Sequence, residues 1–192
     1  MTYADFEQEM AWVHSDGYEA VTLDELMDNW YHGGTLPTKP IVIAFDNGYP
    51  PQVTEAPRVL SQYGWPGVLN EITEDHLSDA KLKSVLKLGW EIDSHSLTHP
   101  DLTALTASEL QAQVVQSRQY LPKHLGVPSN SFCYPSSDDN ATVEAAVKSA
   151  GYEDATTEIS SYASPTGDPY QLPRFEMTTD LPQSQADLAE PH

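Results

Sequence analysis

Ile41-Val42-Ile43-Ala44-Phe45 is an unbroken apolar, largely β-branched run that ends in Asp46-Asn47-Gly48. A strand with one wet face alternates apolar and polar residues, whereas a central parallel strand is covered on both faces and reads as continuously apolar. This stretch therefore predicts a parallel sheet layered by helices, with a polar turn at the strand's C-terminal end that Gly48 allows to be sharp. Further strands are predicted near 67–70, 90–93, 131–134, 152–157 and 172–176, alongside the first at 41–46. Between them lie helical patterns near 53–63, 78–88 with Gly89 as its stop, 107–120 with Pro122 closing it, and 141–149 ended by Gly151. Two more helices come first, near 3–15 after Thr2 and Asp5 and near 23–31 after the capping box of Thr22 and Glu25. A closed eight-stranded barrel takes about 250 residues, so 192 predict an α/β fold of the deformed or incomplete (β/α) barrel kind, with about six to seven parallel strands. The whole of 1–192 reads as a single domain, with 1–35 as an N-terminal helical segment.

The second constraining stretch is Trp90-Glu91-Ile92-Asp93-Ser94-His95-Ser96-Leu97-Thr98-His99-Pro100. A brief buried segment opens there into a turn carrying two imidazoles, which are metal ligands near neutral pH and can converge on one ion if the loop folds back. Pro100 biases His99 away from helical geometry, so the pair belongs to a loop. The plainer reading is that one histidine caps the following helix and the other hydrogen-bonds the loop. Strands of one parallel sheet deliver their terminal residues to the same edge, so Asp46, Asn47, His95 and His99 can meet there despite their separation in sequence.

With these residues in place, the chain resembles the polysaccharide deacetylases of the NodB-homology type, carbohydrate esterase family 4. The resemblance runs over nearly the whole length: Thr2-Tyr3-Ala4-Asp5-Phe6, FDNGY at 45–49, GWEIDSHSLTHPDL at 89–102, SFCYPSSDDN at 131–140 and LPRFEM at 172–177. It implies a divalent metal, usually Zn2+ with Co2+ or Ni2+ as alternatives, in a hydrolase acting on N-acetyl or O-acetyl groups of glycans. Position by position, it implies Asp46 as general base, His95 and His99 as metal ligands, and Arg174 as the group that orients Asp46. Arg174 as a simple surface ion pair is the alternative. Asn47 stands where the family has a metal-binding aspartate, and a neutral amide oxygen brings no negative charge to the ion. Asp138 or Asp139 could restore that charge, or could simply favour a helix N-terminus. Tyr49, Tyr134, Pro135 and Ser136 fall in the segments that line the family's substrate groove, with YPSS in place of the commoner YPYG. Asp101 could accept a hydrogen bond from a ligand histidine or cap a local turn.

The family usually supplies a late histidine as general acid on a leucine-rich strand end. Beyond Met177 this sequence turns polar, and His76, His124 and His192 sit in contexts that do not match. An amine needs a proton to depart and an alcohol does so less, which tilts the expectation toward ester hydrolysis. Two readings of different class follow: a metal-dependent deacetylase or acetyl esterase, and a glycan-binding domain without turnover.

Charge limits the partners. Lys and Arg number 9 against 29 Asp and Glu, a formal net charge of -20, so the surface repels nucleic-acid phosphates and anionic headgroups. The same charge would attract cationic, partly deacetylated sugars, and a salt-adapted surface accounts for it equally well. Cys133 is the only cysteine, which excludes an internal disulfide, and buried packing accounts for it better than catalysis. No transmembrane run and no basic-apolar leader opens the chain, so the expectation is a secreted or cell-envelope domain whose export segment is absent, with a cytoplasmic protein as the alternative.

Overall fold

Side-chain caps fix where the first helices start. In the computed structural model, which describes residues 1–74 and 77–188, reciprocal capping boxes join Thr2 to Asp5 ahead of α1 (Tyr3–Ser15) and Thr22 to Glu25 ahead of α2 (Leu23–His32). Between them lies β1 (Glu19–Val21). The chain continues through β2 (Pro40–Val42), β3 (Ala44–Asp46), α3 (Pro50–Thr54), α4 (Ala56–Leu60), β4 (Val68–Glu71), α5 (Asp79–Leu86) and β5 (Glu91–Ser94). It closes with α6 (Ala107–His124), β6 (Ser131–Cys133), α7 (Ala141–Ala150), β7 (Asp154–Thr156) and α8 (Leu181–Leu188).

All strand pairs are parallel, in one sheet of order β3-β4-β5-β6-β7 and a separate β1-β2 pair. From β4 onward each strand lies beside its predecessor, the stepwise progression of a (β/α) barrel. Among the described residues nothing pairs β7 back to β3, so the sheet is an open, deformed barrel as the sequence predicts.

Several boundaries differ. The strand expected at 41–46 is two: β2 pairs with β1 and β3 with β4, the change of partner falling at Ile43. The helix expected at 53–63 begins at Pro50 and breaks near Glu55. The strand expected at 172–176 shrinks to one bridge, Thr156 to Leu172, because Pro173 has no N–H to extend a ladder. Helix α6 runs through Pro122 to His124; one proline late in a helix removes a single bond, and Leu125 N–H still reaches Leu121 O at 2.9 Å.

Register decides which side chains share a face. Asp46 is level with Asn70 and Asn70 with Asp93, while Ser94 meets Phe132, Ser131 meets Asp154 and Cys133 meets Thr156. With a side-chain period of two, one face carries Asp46, Asn70, Glu91, Asp93, Ser131, Cys133, Asp154 and Thr156. The opposite face carries Phe45, Leu69, Ile92, Phe132 and Ala155. Leu69 and Ile92 join Met10, Val13, Leu60 and Leu82 in one apolar cluster, and Phe132 and Ala155 join Val143, Val147 and Tyr152 in another. The sheet thus buries its apolar face under helices and turns a polar face toward the barrel interior. The N-terminal segment enters this core through Met10, Val13 and Tyr18, and α8 docks beside it, with Tyr18 donating to Leu188 O at 2.9 Å.

Candidate active site

The turn after β3 is built for tight approach. Asn47 and Gly48 both have positive φ, 78° and 75°, and the Gln52 side chain fastens both ends of the turn. Its Nε2 donates to Asp46 O at 2.8 Å and its Oε1 accepts from Tyr49 N–H at 2.7 Å. A Cβ at Gly48 would collide with the buried Glu71 carboxylate. Gly48→Ala therefore combines a strained backbone with a clash, a cost of about 1–3 kcal/mol. The expected outcome is a fall in Tm of several degrees, at about 2–4 °C per kcal/mol for a domain of this size, read by thermal melts. An unchanged Tm would mean that the turn relaxes freely.

Asp46 is held from three sides. Arg174 forms a bidentate pair with it, Nη1 to Oδ1 and Nη2 to Oδ2, both at 2.9 Å, and both side chains are about one-fifth exposed. Asn70, level with Asp46 on the next strand, donates Nδ2–H to Oδ1 at 2.7 Å. The Cys133 thiol lies 3.7 Å from Oδ2 and accepts from Arg174 Nη2 at 3.2 Å. Burial alone raises the Asp46 pKa, but the guanidinium and the Asn70 amide outweigh it, and the carboxyl sits well below the usual range. Arg174 is itself anchored by Nε–H to Thr157 O at 3.0 Å.

The histidine loop follows β5. His95 is buried, and its Nδ1 lies 2.9 Å from Cys133 O. That carbonyl can only accept, so Nδ1 carries the proton and Nε2 keeps a free lone pair. Burial pushes the His95 pKa down to about 4, with Asp46 pulling it back up, so the ring is neutral at neutral pH and able to ligate. His99 stands edge-on to His95 with ring centroids 4.7 Å apart. Its backbone is left-handed at φ 56°, as is Ser96 at 63°, and its N–H donates to Ser96 Oγ at 2.9 Å. Gln113 braces the loop, its Oε1 accepting from Leu97 N–H and Thr98 N–H at 3.1 and 3.0 Å.

These features fit a divalent cation at His95 and His99: two imidazoles on one loop, that of His95 neutral with its tautomer fixed, and the Asn47 amide in the same pocket. A second convergence, Asp46 with His95 and Cys133, brings ligand atoms within 4.8 Å of one another. Arg174 already occupies both Asp46 oxygens and contacts the thiol, and burial pushes the Cys133 pKa strongly up. That triad is therefore closed to a cation.

A pocket of ≈ 410 Å³ opens at this edge, lined by Asp46, Asn47, Tyr49, Ile72, His95, His99, Ser136 and Glu158. Tyr49 is 59% exposed at its rim. Two expected groove residues are elsewhere. Tyr134 is fully buried in the apolar cluster with its hydroxyl on Tyr170 O at 3.1 Å, and Pro135 is buried beneath the turn that starts there. Only Ser136 of that segment reaches the pocket, at a left-handed φ of 53°. Asp101 caps a local turn by accepting from Thr103, and His95 uses Cys133 O instead. Asp139 accepts from Gln171, and neither it nor Asp138 lines the pocket. His124 stacks on Tyr120 at 4.3 Å; His76 and His192 lie outside the described residues.

The pocket brings an Asp–Arg pair beside two loop histidines at the C-terminal edge of an open barrel, and comparison with known proteins gives the family of the chain. The profile of the family described as polysaccharide deacetylase matches residues 33–155, and the chain belongs to that family. YxkH, named as a polysaccharide deacetylase in Bacillus subtilis (strain 168), is 25% identical over 182 residues, which are 92% of this chain and 65% of that protein. The poly-beta-1,6-N-acetyl-D-glucosamine N-deacetylase of Escherichia coli (strain K12) is 31% identical over 61 residues, 32% of this chain and 9% of that protein. The chain thus spans less than two thirds of the curated relatives' length. Among solved structures, the Streptococcus pyogenes deacetylase PplD in complex with acetate superposes with a TM-score of 0.90 at 21% identity, covering 98% of this chain and 87% of that one. At that identity the likeness speaks for the fold. No helix among the described residues is long and apolar enough to cross a membrane.

Proposed function

We propose that this chain is a metal-dependent hydrolase that removes acetyl groups from an acetylated glycan, with Asp46 as base and His95 and His99 as ligands. The observation that carries the reading is one pocket holding an Asp46 carboxylate clamped by Arg174 together with two loop-held imidazoles, that of His95 neutral. A divalent ion held there, zinc first and cobalt or nickel as substitutes, would lower the pKa of a bound water and polarise the acetyl carbonyl. Asp46 takes the proton from water. Arg174 and Asn70 keep its carboxylate ionised and aimed, and Cys133 O keeps the His95 tautomer correct. Tyr49, exposed at the rim, offers a ring face to the sugar. A glycan polymer places the protein's work outside the cell or at its envelope.

Among the described residues no histidine besides His95 and His99 lines the pocket. An amine therefore departs with less help than an alcohol, and the expected preference is for ester over amide acetyl groups. The same feature, with the neutral Asn47, favours the second reading, a domain that binds acetylated glycans without turnover.

Metal content separates ligands from bystanders. His95→Ala is expected to abolish stoichiometric zinc uptake, measured by elemental analysis after metal stripping and reloading. Unchanged zinc in the His95→Ala, His99→Ala double variant would place the ion elsewhere. Acetate release from an aryl acetate and from acetylated chitooligosaccharides then distinguishes the two readings, since the binding module releases none from either.

A further inference from the structure

The donors proposed for the ion, Asn47, His95 and His99, are all neutral, which leaves a dication without a compensating charge. Divalent cations in proteins are ordinarily balanced by thiolates or carboxylates close by. Among the described residues the pocket lining has two carboxylates, Asp46 and Glu158. Asp46 is neutralised by its bidentate pair with Arg174. Glu158 forms no ion pair among the described residues, although its charge reaches the Arg174 guanidinium, and it is exposed in the pocket lining.

The segment that presents Glu158 is fastened on both sides. Its backbone N–H donates to Ser137 Oγ, and Ser137 and Ser136 hold consecutive left-handed conformations at φ 55° and 53°. The next residue, Ile159, accepts from Arg174 N–H at 3.1 Å, while the preceding Thr157 accepts from Arg174 Nε–H at 3.0 Å. The same arginine that clamps Asp46 therefore fixes the main chain on both sides of Glu158. An exposed carboxylate on a fixed backbone, lining the same pocket as the neutral ligands, is placed to supply the missing charge.

We infer that Glu158 is the anionic partner of the divalent ion in this pocket, supplying the negative charge that Asn47 does not. The inference rests on the proposed metal site and names the carboxylate that completes it.

The test is zinc affinity, measured by competition with a chromogenic chelator on the stripped and reloaded full chain. Glu158→Gln keeps the shape and removes the charge, and it is expected to weaken zinc about 10- to 100-fold, the range for groups that support a metal site from beyond its first ligands. Asn47→Asp in the same molecule is expected to restore most of that loss, because it returns one negative charge to the ion. Asp138→Asn, which alters a carboxylate outside the pocket, is expected to leave affinity unchanged. Melting curves of each variant report folding separately, and the exposure of Glu158 predicts no loss there. Wild-type protein that takes up no zinc would overturn the metal reading and this inference with it. Tight wild-type binding that Glu158→Gln leaves unchanged would overturn the inference alone, as would a loss in Glu158→Gln that Asn47→Asp fails to recover.

Discussion

Asp46→Asn is expected to lower turnover by roughly 10² to 10⁴ while zinc stays bound, the loss typical of a removed general base. Asparagine keeps the size of the side chain and one acceptor oxygen, so the nearby loops keep their course. It cannot take a proton from water. The substitution also leaves the half-buried Arg174 without its counter-charge, and breaking such a pair from one side costs up to about 3 kcal/mol, less than a fully buried one. A lower Tm is therefore expected together with the lower rate, and the rate must be read at a temperature where the variant is fully folded. Arg174→Lys provides the comparison. It keeps the positive charge but loses the planar fork that meets both Asp46 oxygens at 2.9 Å, so its rate loss should be smaller than that of Asp46→Asn. An aryl acetate rate that survives both Asp46→Asn and removal of metal would show that the activity comes from incidental surface chemistry.

What the sequence discloses here is whatever is local. Thr2 with Asp5, Thr22 with Glu25 and Thr106 with Glu109 are capping boxes within four-residue windows, and all three form. Asp46, Asn47, His95 and His99 are recognisable because each motif is contiguous and parallel strands end at one edge. Arg174 was read from resemblance, and its contact with Asp46 depends on chain that comes back after β7. Asn70 and Glu158 carried no local signal. Asn70 meets Asp46 through the register of β3 against β4, and Glu158 reaches the pocket because Ser137 and Arg174 fasten its segment. Tyr134 was misplaced for a related reason: strand alternation puts Cys133 on the polar interior face and sends Phe132 and Tyr134 into apolar packing. Helix α8 has little local signal because its residues are mostly polar, and Leu188 gains its burial in a cluster with Met10, Val13 and Tyr18, distant in sequence.

Stability is expected to fall as pH rises from about 4 to about 8, and Asp154→Asn is expected to flatten that slope. The interior face of the sheet also carries Glu91, Asp93 and Asp154, with Asp24 beside them. Asp93 is 2% exposed and Asp154 1%. Their neighbours are one another: Asp24 N–H donates to Glu91 Oε2 at 2.8 Å, Asn130 Nδ2–H donates to Asp24 Oδ1 at 3.0 Å, and no lysine or arginine pairs with any of the four among the described residues. Burial, reinforced by the charges of Glu91 and Asp24, pushes the Asp154 pKa up to about 8, with Ser131 working the other way. Burial and the adjacent carboxylates raise Asp93 as well. An acid whose folded pKa exceeds its unfolded one binds a proton in the folded state alone between the two values. Its contribution is therefore complete below pH 4 and lost as pH climbs toward 8, by about 1.4 kcal/mol per pH unit within that window. For a domain of this size each kcal/mol lost lowers Tm by about 2–4 °C. Asparagine at position 154 is neutral at every pH, so Asp154→Asn should raise Tm at pH 8 by about ten degrees or more and change it little at pH 4. Melts should be run on metal-stripped protein so that zinc binding does not add its own pH dependence. A wild-type Tm that stays level or rises between pH 5 and 8, with Asp154→Asn tracking it in parallel, would mean that Asp154 ionises freely in the folded protein and that water or a cation reaches the interior of the barrel.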